Sequence, residues 1–265
     1  MSGYRAWARM QVWRSGPRIF INSLPKAGTH LLTSELARID GLQNSRLHLL
    51  NSEILKFPEN QSTKTEIDID FTKKQIGRIR HGQYFSAHLP WSPAMESLMV
   101  DHGIAPIFVL RDPRDVLASL YHYIMGLKRH RQHQFLANPA LSKLDRYRFL
   151  VEGHSGEPFR RPMAEILDLY APWAESERTL TVRFEALVGA RGGGSDEEKR
   201  AAFQRIAAHC GIPEDRLPGN ITQAPAKTAT LRKGMSGTWR QELPQEIQEL
   251  VELRCGDTLR RLGYD

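Results

Sequence analysis

Arg18-Ile-Phe-Ile-Asn-Ser-Leu-Pro-Lys-Ala-Gly-Thr-His-Leu-Leu-Thr-Ser-Glu-Leu36 is the stretch on which the fold turns. Its apolar run, Ile19 to Ile21, suits a buried strand. Pro25 and Gly28 then mark a tight turn, and Leu31, Leu32, Leu36 and Ile39 recur at helical spacing. A strand, a glycine turn and a helix in succession aim several backbone N–H groups and a helix N-terminus at one spot, which favours an anion and above all a phosphate. Lys26 adds a full positive charge inside the turn, and Thr29 adds a hydroxyl. The Walker nucleotide loop needs Gly-x-x-x-x-Gly-Lys-Ser/Thr; here Lys26 precedes Gly28, and no glycine stands five residues ahead of it.

Further along, Gln83-Tyr-Phe-Ser-Ala-His88 reads as a second strand that ends at Leu89-Pro90-Trp91, with a short helix over Pro93 to His102. His88 therefore falls at a strand's C-terminal end, where open α/β sheets bind their ligands. On the residues alone it reads as a lone, partly buried histidine with one hydrogen bond. Ile104 to Leu110 is a third, strongly apolar strand that runs into Arg111-Asp112-Pro113-Arg114-Asp115. Asp112 suits an N-cap, Pro113 the first helical position, and Asp115 the positive end of the helix dipole. Arg111 offers a guanidinium fork at the strand's end, and Ser119 a hydroxyl about two turns into the helix. Thr179 to Phe184 reads as a fourth strand followed by Glu185. Helices are expected near Leu141–Gly153, Met163–Ser176, Asp196–Cys210 and Pro244–Leu262, and Gly189 to Ser195 as a glycine-rich linker. Ile67 to Phe71 alternates like a short exposed strand, with Asp68 and Asp70 as surface carboxylates.

These segments together resemble the sulfotransferases that use 3′-phosphoadenosine 5′-phosphosulfate (PAPS) as donor. Leu24-Pro25-Lys26-Ala27-Gly28-Thr29-His30 is similar to that family's 5′-phosphosulfate loop, Pro-Lys-Ser-Gly-Thr-Thr. His88-Leu89-Pro90 matches the place of its catalytic base. Arg111 and Ser119, eight positions apart across a strand-to-helix junction, match its 3′-phosphate motif. Phe184 stands for the aromatic that faces the adenine, and Arg232-Lys233-Gly234 with Trp239 resembles the loop that closes over the donor. The resemblance implies a single α/β domain with a central, mainly parallel sheet flanked by helices and a P-loop-like nucleotide-binding core. It implies donor contacts from Lys26, Ala27, Gly28, Thr29, His30, Arg111, Ser119, Phe184, Arg232, Lys233 and Gly234. It implies catalysis by His88 and Lys26, with no metal. The partners implied are PAPS, leaving as the desulfated product PAP, and an acceptor bearing a hydroxyl on a small alcohol, phenol or sugar. The departures are His30 for the loop's second threonine, Leu31 for an aromatic, Ser86 for a lysine two residues before the histidine, and Thr238 for an aspartate.

Composition is that of a soluble globular protein: 265 residues, 40% hydrophobic, 25% charged. The +7 net charge suits an anionic partner. Residues 1–17 form a basic arm with Arg5, Arg9 and Arg14 among aromatics, ahead of a domain over 18–265. Basic and base-stacking residues interleave largely in that arm, which speaks against a nucleic-acid binder. A small-molecule kinase of the P-loop type is the alternative enzyme, against which stand the missing Gly-Lys-Ser/Thr and the two additional anion motifs. The two cysteines, Cys210 and Cys255, form neither a metal spacing nor a disulfide framework, as in a reducing compartment. No apolar run reads as a membrane span or signal peptide, so a cytoplasmic protein is expected, and a homodimer is left open. Trp91, Phe85, Tyr121 and Tyr123 are candidates to line an acceptor pocket, and Lys128, Arg129 and Arg131 to meet an acidic or sugar acceptor. His130 and His133 have no third metal ligand of matching placement.

Overall fold

The computed structural model describes residues 13, 15–49, 55–56, 66–223 and 234–265. Five parallel strands form the central sheet: β1 (Arg18–Ser23), β2 (Gln43–Leu49), β5 (Gln83–Ala87), β6 (Ile104–Leu110) and β7 (Leu180–Arg183). Their order across the sheet is β2-β5-β1-β6-β7. Two short antiparallel strands, β3 (Leu55–Lys56) and β4 (Glu66–Ile67), pair outside it. Chain order places β1 at the centre, with its neighbours β5 and β6 on either side. That is why Ile19, Phe20 and Ile21 form an unbroken apolar run: both faces of a central parallel strand are covered.

Successive side chains of a strand point to opposite faces, and the core divides accordingly. Phe20, Phe85 and Phe108 pack on one face against helices α3 (Pro93–Asp101), α4 (Pro113–Gly126), α6 (Lys143–Glu152), α7 (Met163–Glu175) and α11 (Gln245–Arg261). Ile19, Ile21, Tyr84, Ile107 and Val109 pack on the other, against α1 (Thr29–Leu36) and α9 (Asp196–Cys210). The remaining α-helices among the described residues are α2 (Ile69–Ile76), the single turn α5 (His133–Leu136), α8 (Phe184–Val188) and α10 (Trp239–Glu242). Pro106 is tolerated inside β6 because the ladder to β7 begins one residue later, at Ile107. His209 of α9 meets the Pro106 carbonyl at 2.9 Å instead.

Three sequence expectations are corrected. Ile67–Phe71 is not a strand: β4 stops at Ile67, and the Asp68 carboxylate accepts the Phe71 N–H at 2.9 Å to cap α2. Asp68 therefore caps a helix. Gln43–Leu49, which falls between the first two expected strands, is itself the edge strand β2; its side chains alternate half-buried and exposed because successive ones point to opposite faces of the sheet. The fourth expected strand ends at Arg183, and Phe184 opens α8. Residues 1–12 and 14 of the basic arm lie outside the described residues, as do Arg232 and Lys233. Trp13 packs beneath the Arg216 guanidinium, 4.2 Å from the ring centre.

Candidate active site

The turn after β1 is built to present N–H groups. The Ala27 N–H closes it on the Leu24 carbonyl at 3.1 Å, and Ser23 Oγ hydrogen-bonds both the Leu24 carbonyl and the Thr29 hydroxyl. Lys26 adopts the left-handed conformation, φ +74°, which costs a non-glycine residue roughly 1–2 kcal/mol. Gly28 has φ +117°, and a Cβ there would lie 2.6 Å from Phe184 Cδ2, so this position has room for glycine alone. Gly28 is also the N-cap of α1 and offers no capping side chain. The first amides of α1 have no carbonyl within the helix to meet, so an anion is their natural partner.

Arg111 ties this turn to two distant segments. Its guanidinium donates to the Lys26 carbonyl at 3.2 Å and to the Met235 carbonyl at 3.0 Å, and it stacks on the Phe184 ring at 4.1 Å. Phe184 is thereby 2% exposed, wedged between Arg111 and Gly28. The Lys26 ammonium sits 4.1 Å above the Tyr123 ring. Burial, and then the neighbouring Arg111 charge, lower its pKa. Two cations drawn together out of water mark a place prepared for negative charge.

Asp115 organises the far side. Fully buried in the first turn of α4, its carboxylate accepts the Gly237 N–H at 2.6 Å, the Trp239 N–H at 2.9 Å and the Thr238 hydroxyl at 3.2 Å. It also lies 3.9 Å from Arg111. Four residues on, Ser119 shares this face of α4, and three further on His122 pairs with Glu242 at 2.9 Å. The glycine-rich run expected to be a mere linker is a platform for the same loop. Gly192 accepts the Ser236 N–H at 2.8 Å, and a Cβ on it would meet the Gly234 carbonyl at 2.5 Å. Glu185 accepts from the Asp112 N–H and from the Tyr264 hydroxyl, which fixes the entry to α4.

His88 stands at the C-terminal end of β5, beside that turn. Its Nδ1 lies 2.9 Å from the Ser23 carbonyl, which can only accept, so Nδ1 carries the proton and Nε2 keeps its lone pair. Burial lowers its pKa to about 4, opposed by the Ser23 bond and reinforced by His48, His30 and Lys26. The imidazole is neutral at pH 7. Its backbone is held on three sides. The Asn22 side chain exchanges two 2.9 Å hydrogen bonds with Leu89, the Trp173 indole donates to the Leu89 carbonyl, and the Tyr170 hydroxyl donates to the His88 carbonyl.

Of the expected site residues described, Lys26, Ala27, Gly28, Thr29, Arg111, Phe184 and His88 meet around one end of β1. Gly234 and Ser119 lie on the segments that Arg111 and Asp115 draw in. His30 stands on the first turn of α1, facing solvent yet partly buried, and that partial burial and then the Lys26 charge lower its pKa. Ser86 bonds the His48 ring at 3.0 Å, and that ring meets His88 edge-on with centroids 5.2 Å apart. Sequence reasoning missed His48, Asn22, Tyr170 and Trp173. Asp115 it read only as a dipole partner. A buried asparagine in an apolar strand was the one signal available. Two candidate pocket residues are corrected: Phe85 stacks on Phe20 and Tyr121 on Tyr147, both inside the core, because helices cover each face of the sheet. His130 and His133 each engage Nδ1 with the backbone, at Gln132 and Ile124.

The sulfotransferase-domain family model matches residues 16–263, and the chain belongs to the sulfotransferase family. PAPS is that family's donor, and the match selects sulfuryl transfer over the kinase and nucleic-acid readings. Among curated proteins none matches. Among solved structures, mouse sulfotransferase SULT7A1 complexed with PAP aligns with a TM-score of 0.57 at 15% identity, over 96% of this chain and 88% of that one. A retinol dehydratase complexed with retinol and PAP aligns at 0.48 and 18% identity, over 97% and 84%. The first of these likenesses bears on the fold. Among the described residues no helix is long and apolar enough to cross a membrane.

Proposed function

We propose that this chain transfers the sulfuryl group of PAPS to an acceptor hydroxyl, with His88 as general base. The observation that carries this reading is the placement of a neutral His88, its Nε2 unprotonated, beside a lysine turn locked to Arg111. The turn amides and Lys26 would hold the 5′-phosphosulfate. Arg111 and Ser119, with the Gly234 loop, would hold the 3′-phosphate, and the Phe184 ring backs the arginine. PAPS supplies an activated sulfur on a good phosphate leaving group. The acceptor oxygen bonds to that sulfur as the bond from sulfur to the bridging phosphate oxygen breaks. The acceptor proton passes to His88 Nε2. Lys26 and the amides stabilise charge on the sulfonate and on the departing oxygen, where losing one donor typically costs roughly 2.7–4 kcal/mol in the barrier.

A neutral tautomer with Nδ1–H fixed on a carbonyl is the form a base needs. His88→Ala is expected to fold and to bind PAP while transfer from labelled PAPS drops on the order of 10²–10⁴-fold. Undiminished transfer in that variant would refute the assignment.

A further inference from the structure

Beside the turn lies a second feature that donor binding does not use. A cavity of about 260 Å³ opens between the Leu24–Lys26 turn, the start of α4, residues 130–132 and α7. At about 30 Å³ per water, it has the volume of some nine water molecules, enough for a compact organic body. Val116, Leu117, Leu120, Met163, Ile166 and Leu167 make its wall apolar. Tyr123 lines it too, and so does Lys26, which joins it to the proposed reaction centre.

At another part of its lining stand His130, Arg131 and Arg160, with no carboxylate among the lining residues. The two arginines are tied to neutral oxygens only: Arg131 to the Phe159 carbonyl, and Arg160 to the Leu150 carbonyl and the Gln132 amide. Among the described residues neither arginine has an acidic partner. His130 Nδ1 accepts from the Gln132 N–H, so its proton sits on Nε2 and adds a donor. Like charges are thus gathered without a counter-ion. Burial and Arg131 push Arg160 down to about 10, and burial with both arginines lowers His130.

We propose that the acceptor is a small amphipathic acid: its apolar body fills this cavity, its acidic head pairs with Arg131 and Arg160, and its hydroxyl points toward Lys26. The substrate class rests on the sulfuryl-transfer reading; the pairing of an anion with the arginine rim does not. An arginine fork is suited to a carboxylate, and an apolar wall is suited to the chain or ring that carries it.

The test measures calorimetric binding of decanoate and of uncharged decanamide to the full chain, with and without PAP. Decanoate should bind on the order of tenfold tighter, the value of one charge-assisted pair. Arg131→Gln and Arg160→Gln should each reduce that preference. Arg131 is exposed, so its variant tests the idea even where the half-buried Arg160→Gln fails to fold. PAP affinity should be unchanged in Arg131→Gln. With labelled PAPS, ω-hydroxydecanoate should be sulfated with a higher kcat/KM than the matching diol. Equal binding of decanoate and decanamide, no binding of either, or a preference that survives both substitutions would overturn the proposal. A decanoate preference in a chain that does not bind PAP would support the anion rim and overturn the donor reading instead.

Discussion

Removing the imidazole at position 88 is the perturbation whose size follows most directly from the geometry. Burial holds His88 near a pKa of about 4, against 6.5 in an unfolded chain. Between those values the unfolded chain takes up a proton that the folded one refuses. Stability from this residue is therefore fully present above pH 6.5 and is lost as pH falls toward 4. At 1.36 kcal/mol per pH unit, the loss comes to about 3 kcal/mol in all and about 2 kcal/mol by pH 5. His30 and His48, also depressed, act in the same direction, so the informative quantity is the difference between wild type and His88→Ala. Urea unfolding from pH 7 to pH 4.5 should show a shallower pH dependence in the variant. Kinetically, kcat/KM for PAPS reports the free enzyme, and its acidic limb should fall near pH 4. The limb in kcat should lie higher, because a bound phosphosulfate offsets Lys26, one of the charges that depress His88. An acidic limb at 6.5 in kcat/KM, or equal pH dependence of stability in the two proteins, would refute the buried neutral base.

Two other substitutions probe the frame around it. Asp115→Ala removes the acceptor of two N–H groups and a hydroxyl from residues 237–239. It should cost about 3–5 kcal/mol in urea unfolding and weaken PAP, since buried donors lose a charged partner; a change below about 1 kcal/mol would show that the loop is held by other contacts. Gly28→Ala places a methyl group 2.6 Å from Phe184 at φ +117°. About 2–5 kcal/mol of destabilisation is expected, with loss of PAP binding, and wild-type values for both would show that the turn is not sterically set.

The strands that carry the site were legible because central parallel strands are apolar throughout. Ile19–Ile21 and Ile104–Leu110 could be placed by eye, and α9 was placed to the residue, from Asp196 to Cys210. The edge strand β2 was not, because Asn44, Arg46 and His48 face water and polar Gln43 and Ser45 stand on its half-buried face, so no apolar run is left. Lys26, His88 and Arg111 were legible as strand-end residues. What held them was not: Asn22 on Leu89, Asp115 on residues 237–239, and Gly192 under Gly234 are contacts between segments 42 to 124 positions apart. Nothing in local spacing encodes such pairings. Phe85 and Tyr121 were placed in a pocket because aromatic residues serve cores and ligands alike; only the sheet's two-sided covering separates the uses.

The account stands on Arg111 reading a second phosphate while Lys26 and its turn hold the first. Calorimetry of PAP and of adenosine 5′-phosphate, on wild type and on Arg111→Ala, tests this in one comparison. PAP should bind wild type more tightly, and the variant should lose on the order of a hundredfold for PAP but little for adenosine 5′-phosphate, as expected when one bidentate charged pair is removed. Equal losses for the two nucleotides would contradict it.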